Sequence, residues 1–290
     1  MLALSVIIGG IAFGLQIGML AFALVFLNKT TGVANFALGN IGMFETFLVH
    51  RMYTSGMGIY QAIAIGLGFA AVFGALVYLL VLRPFSGAGQ ANTLVRTVGL
   101  FLLLAAMANV FFGSQQPYSF PAVLPKGGVS PGGVVVKWAD LITVALVVAV
   151  GLAFVAMFRY TKIGLQFLAV AQRAPIARLL GIRVRLLSTV AYVIAAVLAL
   201  VIGLLVAPEQ LLFSQMMDPI LLYAFAAAVV GGLTSLPGAF VGGVVIGVVT
   251  SLVSTYLGGD LTLASALAIM LLTLAVRPNG LFGVAQIERL

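Results

Sequence analysis

Long, uninterrupted apolar runs are the feature that most constrains how this chain can fold. Nine such segments are marked by the sequence: Leu4–Leu27, Asn35–Val49, Ile59–Leu82, Val98–Phe112, Ala139–Phe158, Leu186–Ala207, Ile220–Leu233, Ala239–Leu257 and Leu261–Val276. The runs are continuous and do not alternate with period two, which favours helices over a membrane β-barrel. We therefore predict an all-α fold, a polytopic integral membrane helical bundle of about 8–10 transmembrane helices, with a short or broken segment near the N-terminus.

The composition excludes several other classes of protein. Hydrophobic residues make up 63% of the 290 positions and charged residues only 7%, whereas soluble domains carry about 25% charged residues. A soluble enzyme, a nucleic-acid-binding domain and a disordered chain are therefore excluded. The chain has no cysteine and a single histidine, His50, so thiolate and histidine-rich metal sites are excluded too.

The two ends of the chain are both expected to belong to one transmembrane domain covering residues 1–290. Met1–Leu27 has no basic residue before its apolar run, and the run is too long for a usual signal peptide. We expect it to be the first spanning helix. The side of the membrane on which it starts stays open, because Asn35–Val49 could span the bilayer or re-enter it.

Basic residues predict the orientation of the bundle. The segment 159–185 has no acidic residue and six basic ones: Arg159, Lys162, Arg173, Arg178, Arg183 and Arg185. Because Lys and Arg are retained in short cytoplasmic loops, this segment and the C-terminus, with Arg277 and Arg289, are predicted to be cytoplasmic. The loop 113–137, rich in Pro and Gly, is then external, with irregular backbone and a possible hairpin.

The basic segment 159–185 also contains a predicted short helix. Pro175 suits its first turn and Gly181 the position just after its end. Ile176, Leu179 and Leu180 would project from it beside Arg178. Such a helix could dock in a partner protein or lie on the membrane surface.

Four polar residues in apolar segments are candidates for a transport pathway, because such groups are costly in a bilayer. They are Gln16, Asn35, Asn40 and Glu45. A plainer interpretation is that Gln16 hydrogen-bonds another helix and that Glu45 pairs with Arg51 near the external end.

Glycines also recur at a spacing of four residues, as at Gly10, Gly14 and Gly18 and at Gly243 and Gly247. Such small faces allow close helix packing inside the bundle or at a subunit interface. Gly-interrupted segments occur in both halves of the chain, at Asn35–Val49 and Gly231–Gly243. Paired broken segments of this kind point to a translocation site in many transporters.

No phosphate-binding loop, zinc-protease motif or nucleophile elbow occurs in the sequence. The chain is therefore predicted not to be an enzyme, to carry no cofactor, and to depend on other polypeptides for any ATP hydrolysis.

Four stretches together resemble the permease subunits of the branched-chain amino-acid family of ABC importers. They are Gly10–Gly39, ending GVANFALG; Ala171–Ile182, AQRAPIARLLGI; Val230–Gly243, VGGLTSLPGAFVGG; and Arg277–Gly283, RPNGLFG. The family often has His and Glu where this chain has Leu38 and Asn40, and a small residue where Glu45 stands. These departures bear on the substrate, because the altered segment is short and broken.

The resemblance implies an importer at the bacterial plasma (inner) membrane. Its partners would be a second permease, making a homo- or heterodimer, two cytoplasmic ATPases that bind ATP and Mg, an external substrate-binding protein and membrane lipid, but no nucleic acid. The substrate would be a branched-chain or related amino acid, or a small amide or carboxylate. The residues expected to couple the permease to the ATPases are Arg173, Ile176, Ala177, Arg178, Leu179, Leu180, Gly181 and Ile182. The glycines expected to serve helix packing or gating are Gly231, Gly232, Gly238 and Gly242.

Two other functions stay open at this point. One is a secondary transporter or channel for a small solute that works alone; for secondary transport, Glu45 is the only plausible coupling carboxylate in the sequence. A structural or assembly membrane protein would need no pathway at all. Neighbouring genes for phosphate-loop ATPases and a secreted binding protein would favour the importer.

Overall fold

The computed structural model describes residues 2–85, 89–113, 117–129 and 136–283. Ten α-helices occur in these ranges: α1 (Leu2–Thr31), α2 (Leu38–Thr54), α3 (Ile59–Leu76), α4 (Gly89–Phe112), α5 (Trp138–Tyr160), α6 (Lys162–Leu179), α7 (Val184–Gln210), α8 (Asp218–Gly231), α9 (Leu236–Tyr256) and α10 (Thr262–Val276). Within the described part of the chain, seven helical segments are long and apolar enough to cross a membrane. The predicted all-α membrane fold is confirmed.

Each of the nine apolar runs became a helix, with ends shifted by a few residues except that α4 begins at Gly89, nine residues before the predicted start. The prediction for 159–185 was incomplete, because this segment holds the 18-residue helix α6 where only a short helix at Pro175–Gly181 was expected. The reason is that α6 buries a narrow seam, at Gly164, Phe167 and Val170, and leaves most other side chains exposed. Its sequence therefore lacks a long apolar run.

Three short elements complete the described structure. Helix α3 continues as a π-helical turn, Val77–Leu82, and a 3₁₀ turn, Arg83–Phe85. Another 3₁₀ turn, Gly259–Leu261, precedes α10. In the predicted external loop, strands β1 (Gly128–Val129) and β2 (Val136–Lys137) pair antiparallel, as a hairpin would.

The chain packs as two compact units. The first unit is built from Met1–Val25, Leu124–Val148 and Pro219–Leu290, and the second from Phe26–Val123 and Ala149–Asp218. Helices α1 and α5 contribute residues to both.

In the second unit, α2 packs against α3, α4 and α7. A methyl group at Gly42 of α2 would overlap the carbonyl of Ala199 in α7, and one at Gly203 of α7 would overlap the Thr46 hydroxyl. These contacts let the backbones of α2 and α7 approach closely, as small residues do between membrane helices. On α3, Gly74 makes a similar contact with Tyr192 of α7.

In the first unit, glycines join α9 to two other helices. Gly14 and Gly18 of α1 face Gly243 and Gly247 of α9, with backbone atoms in direct contact. The glycines spaced by four residues therefore serve packing inside the chain, as one of the two sequence interpretations held. On another side, α9 packs against α8 through Gly242, which contacts the backbone of Ala227 and Gly231.

Candidate functional site

The segment at the end of α6 has the local geometry that its sequence predicts. The helix breaks at Arg173, whose φ of −152° and ψ of 94° are extended, and resumes at Pro175. It ends where the Gly181 N–H donates to the Arg178 carbonyl and the Ile182 N–H donates to the Ala177 carbonyl, each at 3.0 Å. With Gly181 at φ +80°, this is a Schellman motif, which satisfies the last carbonyls of a helix.

This terminal turn presents apolar side chains outward. Leu179 is 88% exposed, Leu180 73% and Ile176 47%. Ala177 is the buried residue that anchors the turn, and Ile182 is half-buried. The remaining predicted coupling residues, Arg173, Arg178 and Gly181, are exposed. The surface formed by Ile176, Leu179, Leu180 and Arg178 is called the coupling surface below.

Helix α2 carries two buried polar side chains that the sequence singled out. Asn40 donates from Nδ2 to the Phe101 carbonyl of α4 at 2.8 Å, and its Oδ1 has no hydrogen-bond partner among the described residues. Glu45 is fully buried, and neither carboxylate oxygen has a partner there either. The suggested pairing of Glu45 with Arg51 is wrong, because Arg51 lies on an exposed part of α2, beyond Glu45's buried turn.

Asn35 lies in the turn before α2 and is also fully buried. Its Oδ1 accepts the Ala37 N–H at 2.9 Å, while its Nδ2 has no partner in the described structure. The helix itself begins after Ala37, whose methyl group cannot cap it. The start of α2 therefore combines buried backbone donors with a free side-chain donor.

The four pathway candidates do not form one demonstrated cluster. Asn40 and Glu45 are five residues apart, which on a helix places them about 140° apart and on different sides of α2. Gln16 belongs to the first unit, where it is 6% exposed and its Oε1 lacks a partner among the described residues. A shared pathway thus stays a prediction.

The four glycines predicted to serve packing or gating make distinct contacts in the first unit. Gly231, Gly238 and Gly242 lie at the crossing of α8 and α9, where a methyl group on any of them would meet backbone. Gly232 has a φ of +103° and abuts Asn279 and Gly283. These contacts account for close packing, and a gating role stays a prediction.

Two features of the structure were missed by the sequence analysis. The N–H groups of Leu281 and Phe282 donate to the last carbonyls of α8, at Val230 and Gly231, at 2.8 and 3.1 Å. In the second unit, Tyr118 exchanges two backbone hydrogen bonds of 2.9 Å with Leu212, and its hydroxyl donates to the Phe112 carbonyl at the end of α4. The sequence signal that could have indicated the Tyr118 contacts is the presence of an aromatic residue inside the Pro-rich loop 113–137.

The described structure is thus a helical bundle with seven helices long and apolar enough to cross a membrane and an exposed apolar turn at the end of α6, which places it in the class of multi-pass membrane proteins. The sequence profile of the family described as "Branched-chain amino acid transport system / permease component" matches residues 6–276. Because this covers nearly the whole chain, the protein belongs to that family.

Similar proteins from three organisms carry names that agree with this family. The chain is 26% identical to the high-affinity branched-chain amino acid permease LivH of Escherichia coli K12, over 97% of this chain and 95% of LivH. It is 24% identical to BraD of Pseudomonas aeruginosa, over 99% and 97% of the two chains. The archaeal Methanocaldococcus jannaschii has a similar protein, named a probable LivH, at 26% identity over 95% of this chain and 91% of that one.

Proposed function

We propose that this permease is the membrane-spanning subunit of an ATP-binding-cassette importer that moves branched-chain or related amino acids by alternating access. Its assembly would contain a second permease, two cytoplasmic ATPases that bind ATP and Mg, and an external substrate-binding protein. Family membership and the relatives that transport branched-chain amino acids support this proposal.

The coupling surface is the observation that carries the proposal. Three large apolar side chains project from a rigid turn that also carries arginines. Full burial of each against a partner would contribute about 1.5–3 kcal/mol. Arg178 would add orientation more than net affinity. A groove in an ATPase subunit would satisfy both kinds of group, and the Schellman end would transmit its movement to α7.

The polar candidates support a route through the permease. Gln16, Asn35, Asn40 and Glu45 are all buried, and each has at least one polar atom without a hydrogen-bond partner in the described ranges. Polar groups of this kind are costly in a membrane protein and mark pathways by default. We propose that they serve substrate passage in one or more states of the transport cycle.

The orientation proposed for this importer is the one that its basic residues favour. Segment 159–185 and the C-terminus would face the cytoplasm of a bacterial cell, because the segment holds six basic residues and no acidic one, and the C-terminus carries Arg277 and Arg289. The coupling surface would then face the cytoplasmic ATPases.

Two substitutions in the coupling surface test the proposal. Leu180→Asp would place a charge in the apolar contact, at a cost of several kcal/mol. Gly181→Val would place a β-branched residue at φ +80° and disrupt the Schellman turn. In the complete complex, both variants should insert but lose co-purifying ATPase or its stimulated ATP hydrolysis.

The matched control is Leu165→Asp, which puts the same charge on an exposed leucine in the first half of α6. It should retain the ATPase. If Leu180→Asp and Gly181→Val both hold the ATPase and transport normally, the turn is a membrane-surface helix. Substrate uptake by the purified permease alone, without ATP, would instead establish the secondary transporter.

A further inference from the structure

The N-terminus of α2 lies deep inside the second unit. Helices α2 and α7 run in the same direction, because Gly42 contacts Ala199 and Thr46 contacts Gly203. Ala199 is 15 residues into α7, and Gly42 is four residues into α2. At 1.5 Å per residue, the first residue of α2 therefore lies level with a point about 16 Å from the start of α7. That level is near the middle of the span formed by α7.

Two of the backbone donors at this N-terminus have acceptors, because the Ala37 N–H donates to Asn35 Oδ1 at 2.9 Å and the Leu38 N–H donates to the Asn35 carbonyl at 3.4 Å. The first N–H groups of a helix have no intrahelical acceptor, and in the described structure those of Gly39 and Asn40 have no other acceptor either. Ala37, Leu38, Gly39 and Asn40 are all buried, so bulk water does not replace the missing acceptor. The helix dipole adds partial positive charge at the same place.

Asn35 adds an independent observation to this geometry. Its Oδ1 already accepts the Ala37 N–H, so the amide group is fixed against the first turn of α2. Its Nδ2 shares a carbon with that oxygen and is therefore held beside the same turn. Although Asn35 is fully buried, this donor has no acceptor among the described residues.

We propose that the N-terminus of α2 and the Asn35 amide form a binding site for the carboxylate group of the transported substrate. This inference rests on the proposed transport function and specifies how that substrate is recognised. A carboxylate supplies the acceptors that both sets of donors lack, and helix N-termini bind anions through such N–H groups. Half-helix ends near the bilayer midplane bind anionic substrate groups in other transporters.

The flanking residues give this site a way to the surface. Gly32 and Phe36 are exposed on either side of buried Asn35. Gly32 also has a φ of +80°, with no atom near the position of a side chain. Asn35 is thus next to the exposed Phe36 in the chain, and a displacement of Phe36 would give a ligand access to the donors.

Asn35→Asp is the decisive variant. An aspartate keeps the shape of the side chain and the oxygen that accepts the Ala37 N–H, and its charge suits a helix N-terminus. It replaces the free Nδ2 donor with an anionic oxygen that repels a carboxylate. A purely structural Asn35 predicts a normal or more stable variant, whereas a carboxylate site predicts lost binding.

Thermal stabilisation of the purified permease measures binding without requiring transport. The probes are leucine, 3-methylbutanoate, which keeps the carboxylate but lacks the amine, and leucinamide, which lacks the carboxylate. We expect both carboxylates to stabilise the wild type and leucinamide to have no effect. In Asn35→Asp, the affinity for both carboxylates should fall by about 10- to 100-fold, the effect of losing a hydrogen bond to a charged group.

Asn109→Asp is the matched control, because Asn109 is an exposed asparagine of α4 that donates to the Ala105 carbonyl. It should bind like the wild type. Equal stabilisation by leucinamide and leucine, no stabilisation by either carboxylate, or an unaltered Asn35→Asp would overturn the site. If carboxylates bind in an Asn35-dependent way but the complete complex does not transport leucine with ATP, the site stands and the proposed function fails.

Discussion

Helices α2 and α8 are two short helices in the described part of the structure, and both pack closely through glycines, but they bury different kinds of side chain. α2 has 17 residues and α8 has 14. Both rely on glycine contacts, through Gly42 and Gly203 for α2 and through Gly231 and Gly242 for α8. Yet α2 buries Asn40, Glu45 and Thr46, whereas the buried residues of α8 are apolar or glycine apart from Tyr223.

The difference shows that close packing does not require buried polar groups. In α8 the one buried hydroxyl, of Tyr223, pairs with the Thr262 hydroxyl at 3.1 Å, and the one unpartnered buried oxygen belongs to half-buried Asp218 at the first position of the helix. In α2 the Glu45 carboxylate and the Asn40 Oδ1 have no partner in the described structure. Unpaired polar groups destabilise a folded helix bundle, so Asn40 and Glu45 give α2 a cost in stability that the proposed role in substrate passage would explain.

The largest expected effect on stability concerns the glycine contacts that both helices rely on. Gly42→Leu would force a side chain into the Ala199 carbonyl, and Gly242→Leu would force one into Ala227 and Gly231. Because the contacted atoms are backbone, neither can move aside easily, and we expect losses of several kcal/mol. Both variants should fail to give a monodisperse peak in size-exclusion chromatography of the detergent-solubilised protein.

Gly68→Leu provides the control for this pair, since a side chain at Gly68 of α3 would meet no atom within 4 Å. It should behave as the wild type. A well-folded Gly242→Leu variant beside a misfolded Gly42→Leu variant would show that only α2 depends on its glycine.

A smaller effect on stability, of opposite sign, is expected at Glu45, the buried carboxyl group that distinguishes α2 from α8. Glu45→Leu removes a buried, unpartnered carboxyl group at similar side-chain volume. We expect it to raise stability by about 1–3 kcal/mol and to lower transport by the complete complex. The measurements are the apparent melting temperature in detergent and ATP-driven uptake in vesicles.

Thr46→Val is the comparison variant on the same helix, because the Thr46 hydroxyl already donates to the Gly42 carbonyl. It should bring no gain in stability. A Glu45→Leu variant that is less stable than the wild type would mean that Glu45 has a partner in the folded bundle, and that the contrast with α8 does not hold.

The smallest effects concern the helix ends. The end of α4, which packs on α2, is capped by the Tyr118 hydroxyl, so Tyr118→Phe should cost about 1 kcal/mol. The end of α8 is capped by backbone N–H groups of Leu281 and Phe282, so Leu281→Ala should keep the cap. Melting temperatures of the two variants check this, and a larger loss for Leu281→Ala would show that its side chain supports the cap.

The sequence by itself determined the helical fold and one turn of the candidate site. A long apolar run must satisfy its own backbone hydrogen bonds in a membrane, so all nine runs became helices. Pro175 and Gly181 act on the backbone beside them, which is why the Schellman turn and its exposed leucines followed from local residue types.

Tertiary structure alone decided which groups these helices bring together. No local pattern predicts that α2 begins about 16 Å along α7, that Asn35 uses its oxygen on Ala37 and leaves Nδ2 free, or that Leu281 caps α8 from about 50 residues away. The tertiary structure also decided which pairs of helices the regularly spaced glycines join. The physical reason is that burial and hydrogen-bond satisfaction depend on contacts between residues far apart in sequence, whereas helix formation in an apolar run depends on neighbours.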